Sequence, residues 1–490
     1  MIIYKNALDV PSVAKTKVTL GNFSGGIGSS DDESVKKVGD AKYIANFDIA
    51  DGALKAGAGL IEYKLNGKPI SLNIENLYAK KFFYFKNYDV ESGEDKDVLL
   101  CYSSNGTMYF CNLYESEPNF IETGIWFKST PTAVTYNNGG DNVILLSSQS
   151  DPLCVFDGKG FKYVDGAPKF NSMCVHNERV FATEDKKSTS LWFSDDFNPL
   201  NWYISIDEAG FIDFPDERGP LLKVISFLDY VYIFREYGIT RLSAYGNQED
   251  FSVSNLHCKV GKIYGESVTD CGNYIYFLSS DGIYKFNGVD AVKILDCYDT
   301  FLEGVDNSES SGLFYNGKFW LKLKMKIDKK EQNVLLVYNL HSGTSYIMKD
   351  CKITSICLFD GKNKEIVAIY DKGVKVARVI DGYGKLFDKP LKKVWQGIES
   401  DFSLPCEKIL YKITLNLEDD AEVIVSCDGI KHYYKVNSTK NCITPKLKGK
   451  NFSVSIVSYN NNPRIYKPII YFKYLKENLW WQTITENLLI

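Results

Sequence analysis

The sequence predicts an all-β protein, and three observations support that fold class. Tyr (33 residues) and Phe (29) are abundant while Met (5) is scarce, and β-branched and aromatic residues cluster in short runs, as is typical of strands. Asn-Gly and Asp-Gly dipeptides separate many of these runs, and both tolerate the positive φ angles of tight hairpin turns. Few stretches show the apolar period of a helix. With 490 residues, 44% of them hydrophobic, the chain can bury a large core.

From Leu72 onward the hairpins recur in units of roughly 35 to 50 residues. We place the starts of these units near Leu99, Val134, Met173, Val224, Val268, Gly312 and Ile353. Such a repeat predicts a β-propeller of about six or seven blades, because each blade needs neighbours to bury both of its faces. An array of β-sandwiches is the competing interpretation, since the repeats match one another only weakly.

Composition shifts divide the remaining chain. Residues 1–71 are predicted to form an extended N-terminal arm with the first strands, because residues 21–30 are rich in Gly and Ser and an acidic run follows them. Residues 72–390 are assigned to the propeller. Residues 391–478 contain strands at short, regular spacing and are predicted to form a C-terminal β-sandwich. Residues 479–490, with Trp480 and Trp481, are predicted to be a C-terminal tail suited to docking.

Charge and cysteine usage exclude several classes. The net charge is −5 and the basic residues are scattered, so the sequence shows no electrostatic footprint for wrapping nucleic acid, although folding could still create a local basic surface. The twelve cysteines include no C-x-x-C pair and favour buried free thiols in a reducing compartment, with a disulfide framework as the alternative. The N-terminus lacks the pattern of a signal peptide, and we expect no membrane segment.

Two near matches to ligand-binding motifs fail on inspection. Residues 312–319 approach a phosphate-binding loop, but Phe319 stands where Ser or Thr would hold Mg²⁺, and the surroundings read as strand, turn and strand. Residues 194–202 resemble the Asp-box turn of sialidase-like propellers. They lack its glycine and are one residue too long, and the chain has only six arginines for a carboxylated sugar.

The remaining chemistry-bearing residues form no catalytic pattern. The four histidines lie in separate units, without zinc-ligand spacing. Acidic pairs such as Asp195-Asp196 could supply a glycosidase acid and base, but adjacent carboxylates in loops are usually solvated turn residues. The sequence therefore predicts no catalytic residue, no metal site and no cofactor, and we expect the protein not to be an enzyme.

Several short motifs resemble a family of phage tail proteins. The N-terminal motifs are Asn22-Phe23-Ser24-Gly25-Gly26-Ile27, Ala45-Asn46-Phe47-Asp48-Ile49, Asp51-Gly52-Ala53-Leu54 and Gly57-Ala58-Gly59. The middle stretches 174–182 and 191–202 resemble a recurrent blade of these proteins, and 452–456 with 468–472 resemble their closing sandwich strands. The similarity is to the tail tubular and packed-DNA-stabilisation proteins of short-tailed phages.

This resemblance implies a structural virion protein of the tail, a nozzle or hub that continues the DNA channel below the portal and adaptor. It implies a homo-oligomeric ring, contacts with adaptor, portal or tail fibre, and transient contact with DNA passing through the channel during DNA ejection. The expected location is the virion tail, assembled in the host cytoplasm. The candidate interface residues are Phe23, Gly25, Gly26, Trp192, Trp202, Trp480 and Trp481.

Two other functions compete with this one. Exposed aromatic side chains can stack on sugar faces, so a tail or baseplate protein could bind host-surface glycan through Trp192 or Trp202. A propeller glycoside hydrolase is the third alternative.

Overall fold

The computed structural model describes residues 13–20, 23, 41–70, 77–89, 92–138, 141–185, 188–205 and 208–475. These residues fall into two compact units. The propeller unit comprises Leu60–His341 and Lys349–Ile380, and the sandwich unit lies within Met1–Gly59, Ser342–Met348 and Asp381–Ile490.

In the part of the chain that the structure describes, the propeller unit contains seven antiparallel blades whose strands follow one another in sequence. Blade 1 consists of Ala79–Phe85, Val98–Ser103, Thr107–Asn112 and Ile121–Trp126; blade 2 of Thr132–Asn138, Asp141–Ser148, Asp151–Phe156 and Phe161–Tyr163; and blade 3 of Ser172–His176, Arg179–Thr183, Ser190–Phe193 and Gly210–Asp213. Blade 4 consists of Leu221–Phe227, Tyr230–Arg235, Gly238–Ser243 and Ser252–Leu256, and blade 5 of Thr269–Asp270, Ile275–Ser279, Gly282–Phe286 and Ala291–Ile294. Blade 6 consists of Ser311–Tyr315, Lys318–Ile327 and Lys330–Asn339, and blade 7 of Ile353–Asp360, Lys364–Tyr370 and Lys375–Ile380. The structure thus confirms the all-β prediction and the propeller.

The ring of blades closes on itself. The first strand of blade 7 contacts the first strand of blade 1. The strand Gly59–Glu62, which precedes blade 1 in the chain, lies beside Lys375–Ile380 and completes blade 7. Just after it, the Tyr63 amide donates a hydrogen bond to the Val376 carbonyl at 2.9 Å. A strand that precedes the first blade in the chain therefore belongs to the last blade, and this pairing closes the ring between blades 7 and 1.

Apolar layers between adjacent blades form the core. All six residues of Val98–Ser103 are buried, because blades on both sides cover this strand. Phe82 and Leu99 of blade 1 pack against Phe359 and Val367 of blade 7 in one cluster. Similar clusters join blades 1 to 5 in sequence. Strands buried on both faces explain why the sequence shows short continuous apolar runs.

Turn chemistry accounts for the hairpins. Asn316 and Gly317 have φ angles of 50° and 69°, as a type I′ turn requires, and they connect Tyr315 to its cross-strand partner Lys318. This confirms that the stretch resembling a phosphate-binding loop is a hairpin. Six of the seven predicted unit starts lie within a few residues of a first strand. The exception is blade 1, which begins at Ala79, because the small hairpin Tyr88–Asp89 and Glu94–Asp95 separates its first two strands.

The sandwich unit contains two main sheets. The first sheet consists of Val13–Thr19, Ile469–Leu475, Lys408–Thr414, Cys442–Ile443 and Leu447–Gly449. The second sheet includes, in spatial order, Ser345–Met348, Ala41–Ala45, Lys393–Gly397, Phe452–Ser458, Ala421–Cys427 and Ile430–Val436. The rings of Phe452 and Phe472, one from each sheet, lie 5.4 Å apart and help to join the sheets. The predicted C-terminal β-sandwich is therefore present.

The unit boundaries differ from those expected from sequence. The strands Val13–Thr19 and Ala41–Ala45, expected in a separate arm, pair with C-terminal strands of the sandwich. The propeller begins at Leu60 instead of residue 72 and ends at Ile380 instead of residue 390. Backbone pairing between segments distant in sequence sets these limits. The amino-acid composition of a segment carries no information about such pairing.

The remaining elements are short. The other strands are Phe47–Ala50, Ala53–Ala56, Lys64–Leu65, Lys68–Pro69, Lys385–Leu386, Lys389–Pro390 and Ile465–Tyr466. Among the described residues, the α-helix is Asp299–Leu302, and the 3-10 turns are Gln248–Asp250, Gly265–Ser267, Asp296–Tyr298 and Asp371–Gly373. Within the described residues, no helix has the length and apolar character needed to cross a membrane.

Candidate interaction surfaces

An ion-pair cluster joins three blades at the centre of the propeller unit. The Glu266 carboxylate lies 3.4 Å from Lys81 Nζ and 3.6 Å from Lys223 Nζ. Lys81 also donates to the Pro131 carbonyl at 3.2 Å. These lysines belong to blades 1 and 4, and Glu266 precedes blade 5, so the three side chains meet where the first strands surround the axis. Glu266 thus contacts side chains of two other blades, and two cations face its one carboxylate.

Cys111, Cys154 and His176, whose side chains are of types that act in catalysis, are buried in the structure. Burial raises the pKa of the Cys111 and Cys154 thiols to about 12, so both stay protonated near neutral pH. Burial lowers the pKa of His176, whose Nδ1 lies 2.8 Å from Ser226 Oγ. In the part of the chain that the structure describes, no three His, Cys, Asp or Glu side chains group together as a metal site would require.

Arg179 also serves the fold. Its side chain is buried, and Nη1 donates to the Ser194 carbonyl at 2.9 Å and to the Glu208 carbonyl at 2.8 Å. The second Nη lies 3.7 Å from the Asp196 carboxylate. Because its donors are turned to internal carbonyls, Arg179 holds the loop that resembles an Asp box and does not face solvent.

Two of the seven predicted interface residues are buried in the structure, one is half-buried, and the other four lie outside the described residues. Trp202 is 1% exposed, packs 4.6 Å from the Phe170 ring and donates from Nε1 to the Pro199 carbonyl at 3.0 Å. Phe23 is also 1% exposed and meets the Trp395 ring edge-on at 5.1 Å within the sandwich unit. Neither ring is available to a partner, and Trp202 cannot stack on a sugar. Gly25, Gly26, Trp480 and Trp481 lie outside the described residues.

Trp192 is half-buried on the third strand of blade 3. Its ring lies 5.0 Å from that of Phe211, which is opposite it on the fourth strand and is 44% exposed. Trp192 Nε1 is enclosed and has no acceptor among the described residues. Of the predicted set, Trp192 is therefore the residue that the structure places beside an exposed apolar surface.

The loop after Trp192 carries the most exposed apolar side chains of this region. We name it the blade 3 platform, defined by Phe197 (70% exposed), Leu200 (38%), Tyr203 (62%) and Ile204 (63%). These four residues are not among the predicted interface residues, because that prediction rested on the tryptophans and on the N-terminal glycine motif. The available signal was the number of large apolar residues in one loop.

Internal hydrogen bonds hold the backbone of the platform. Besides Arg179 and Trp202, Gln248 Nε2 donates to the Ser205 carbonyl at 3.1 Å and to the Glu208 carbonyl at 2.8 Å. The Phe197 amide donates to the Glu178 carbonyl at 3.0 Å. A loop with buried anchors keeps its exposed side chains in place, which lowers the entropy lost when a partner binds.

Comparison with known proteins gives no family for this chain. No protein-family model and no curated protein matches it. Among solved structures, BBS1N in complex with ARL6DN aligns with a TM-score of 0.40 and 9% identity, over 67% of this chain and 95% of that one. BamB from Moraxella catarrhalis aligns with a TM-score of 0.39 and 12% identity, over 75% of this chain and 99% of that one. Identities and TM-scores this low do not indicate a shared function.

Proposed function

We propose that this chain is a structural subunit that acts by assembling with further copies of itself, as a ring-forming component of a phage-type tail. The tail position, nozzle or hub, comes from the resemblance of the sequence motifs. The observation that supports assembly is the blade 3 platform, a set of exposed apolar side chains on an anchored loop. Contacts with adaptor, portal and tail-fibre proteins belong to the same proposal.

Exposed apolar side chains of this kind are suited to a protein interface. Surfaces of soluble monomers expose isolated apolar residues commonly, but large aromatic and aliphatic side chains gathered in one loop mark interaction sites. Aromatic residues at the centre of an interface contribute most of its binding energy. Hydrogen bonds from Arg179 and Gln248 to carbonyls of this loop hold its backbone, which reduces the rearrangement needed for binding.

The oligomeric state tests the proposal. We expect the intact chain to form a closed oligomer by sedimentation velocity and by cryo-electron microscopy. Replacing two platform residues, Phe197→Asp with Ile204→Asp, should weaken assembly by at least about 30-fold, corresponding to about 2 kcal/mol of hot-spot energy. Ile430→Asp with Tyr433→Asp in the sandwich unit, at residues 67% and 61% exposed, is the matched control and should assemble normally.

Two results would contradict the proposal. A wild-type chain that remains monomeric at all soluble concentrations, and that is absent from purified tail particles, would exclude assembly. An unchanged oligomer in the double variant would exclude the platform as the contact.

A further inference from the structure

Three strands of the first sheet in the sandwich unit bring lysines together on one face. Val13–Thr19 pairs with Ile469–Leu475, which pairs in turn with Lys408–Thr414. Side chains opposite each other on paired strands point to the same side of the sheet. On one side, Leu410, Ile413, Ile470 and Phe472 are all 0% exposed and form core.

The opposite side is turned to solvent, and we name it the lysine face. Its register places Lys15 opposite Lys473, and Lys17 opposite Tyr471, which is itself opposite Lys412. Lys448 joins the same side through the pairing of Ile409 with both Lys448 and Lys473. The five lysines that define the face are Lys15, Lys17, Lys412, Lys448 and Lys473.

Acidic side chains neutralise little of this charge. Lys448 pairs with Glu407 at 2.8 Å. The other four lysines form no ion pair with any residue that the structure describes. Lys15 and Lys473 are like charges directly opposite each other on adjacent strands, an arrangement that destabilises a sheet. A polyanion across the face would remove that repulsion.

Two tyrosines hold lysines of the face in position. Lys412 Nζ lies 5.4 Å from the ring centre of Tyr471, and Lys473 Nζ lies 4.6 Å from that of Tyr411. The two rings are themselves 6.1 Å apart. Cation–π contacts of this kind restrain otherwise flexible ammonium groups and reduce the entropy lost when an anion binds them.

We propose that the lysine face binds the phosphate backbone of double-stranded DNA without regard to sequence. Residues two apart on a strand are about 7 Å apart and neighbouring strands about 4.8 Å apart, so the lysines present a dense array of charge. Double-stranded DNA is the partner whose charge is comparably dense, at about one phosphate per 1.7 Å of axis. This inference does not depend on the proposed tail assembly.

Other anionic partners fit the face less well. The large aliphatic side chain that this face exposes most is Ile409, at 38%, so it offers neither the apolar surface that inserts into a membrane nor the apolar centre of a protein interface. The tyrosine rings are partly covered by their own lysines. Lysine-to-phosphate attraction remains as the main contact.

Salt-dependent binding to DNA tests the inference. Fluorescence anisotropy would follow a labelled mixed-sequence duplex of about 30 base pairs binding to the intact chain. With about four unneutralised lysines, the slope of log K against log salt should be about −3.6, a loss of about 150-fold between about 50 and 200 mM salt. The variant Lys15→Gln with Lys473→Gln should reduce the slope by about 1.8.

The control removes the same charge elsewhere. Lys431 and Lys435 are exposed on Ile430–Val436 of the second sheet, so Lys431→Gln with Lys435→Gln should leave the slope unchanged. Thermal unfolding of the Lys431→Gln, Lys435→Gln variant should match the wild type. The Lys15→Gln, Lys473→Gln variant should unfold at a slightly higher temperature, because the repulsion between the two opposite lysines is removed. The inference is overturned if the wild type binds no duplex at low salt, if both variants lose equal affinity, or if vesicles of anionic lipid or polyglutamate bind the face more tightly than DNA. A monomeric chain that still binds DNA would contradict only the assembly proposal.

Discussion

Substituting Phe359 tests whether the propeller is closed between its last and first blades. Phe359 lies on the first strand of blade 7 and is 3% exposed. Its ring centre is 5.5 Å from that of Tyr63, 6.1 Å from Phe82 and 5.5 Å from Tyr84. These neighbours belong to the closing segment and to blade 1, so the ring joins three parts of the chain.

The expected cost of Phe359→Ala follows from this packing. Truncating a buried Phe to Ala costs about 3–5 kcal/mol, and three aromatic contacts place Phe359 near the upper end. The propeller unit has roughly 300 residues, with an unfolding entropy of about 2 cal/mol/K per residue. A loss of about 5 kcal/mol should therefore lower the Tm of the propeller by about 8 °C.

Calorimetry of the intact chain measures this shift, with two controls. Phe277→Ala, at a 0% exposed residue between blades 4 and 5, should lower the Tm by a similar amount. Tyr245→Ala, at a residue 81% exposed and outside the blade 3 platform, should change the free energy of unfolding by less than about 0.5 kcal/mol. If Phe359→Ala behaves like Tyr245→Ala while Phe277→Ala is destabilised, the closed ring is refuted.

Three further predictions concern stability. Burial lowers the pKa of Lys393 to about 8 from 10.5, so the folded state binds fewer protons than the unfolded state between these values. The free energy of unfolding should therefore rise by about 3 kcal/mol as pH rises through this window. Urea midpoints of wild type and Lys393→Met should diverge there, and parallel curves would contradict the assignment. Gly317→Val should lower the free energy of unfolding in urea by about 1–2 kcal/mol, because Gly317 has a φ angle of 69°. Gly160→Val, where an added Cβ would meet no neighbouring atom, should lower it less. Equal losses in the two variants would exclude strain in the turn as the cause. Glu266→Gln should lower the free energy of unfolding by under about 1 kcal/mol for each ion pair lost. Urea unfolding at high salt should remove this difference in stability from the wild type, and a difference that persists would argue against an electrostatic role.

Local sequence signals were sufficient for much of the fold. Each Asn-Gly or Asp-Gly turn acts over a few residues, and strands covered on both sides leave continuous apolar runs, so hairpins and repeat length could be predicted. Blade 1 was misplaced because its first two strands are joined without such a turn. The candidate surface was located only in part: Trp192 lies beside it, but the burial of Trp202 depends on contacts with Phe170 and Pro199 that no local pattern reports.

The strands, their hairpin pairing and the succession of blades follow from the local sequence, since those interactions join neighbouring residues. How the ring closes and which charges meet depend on contacts between segments distant in sequence. Lys15 and Lys17 are far along the chain from Lys412 and Lys473, and a composition with net charge −5 gave no sign of a basic surface. Strand pairing between the two ends of the chain places these lysines on one face. Long-range register, which depends on the packing of the whole sandwich, has no local signature.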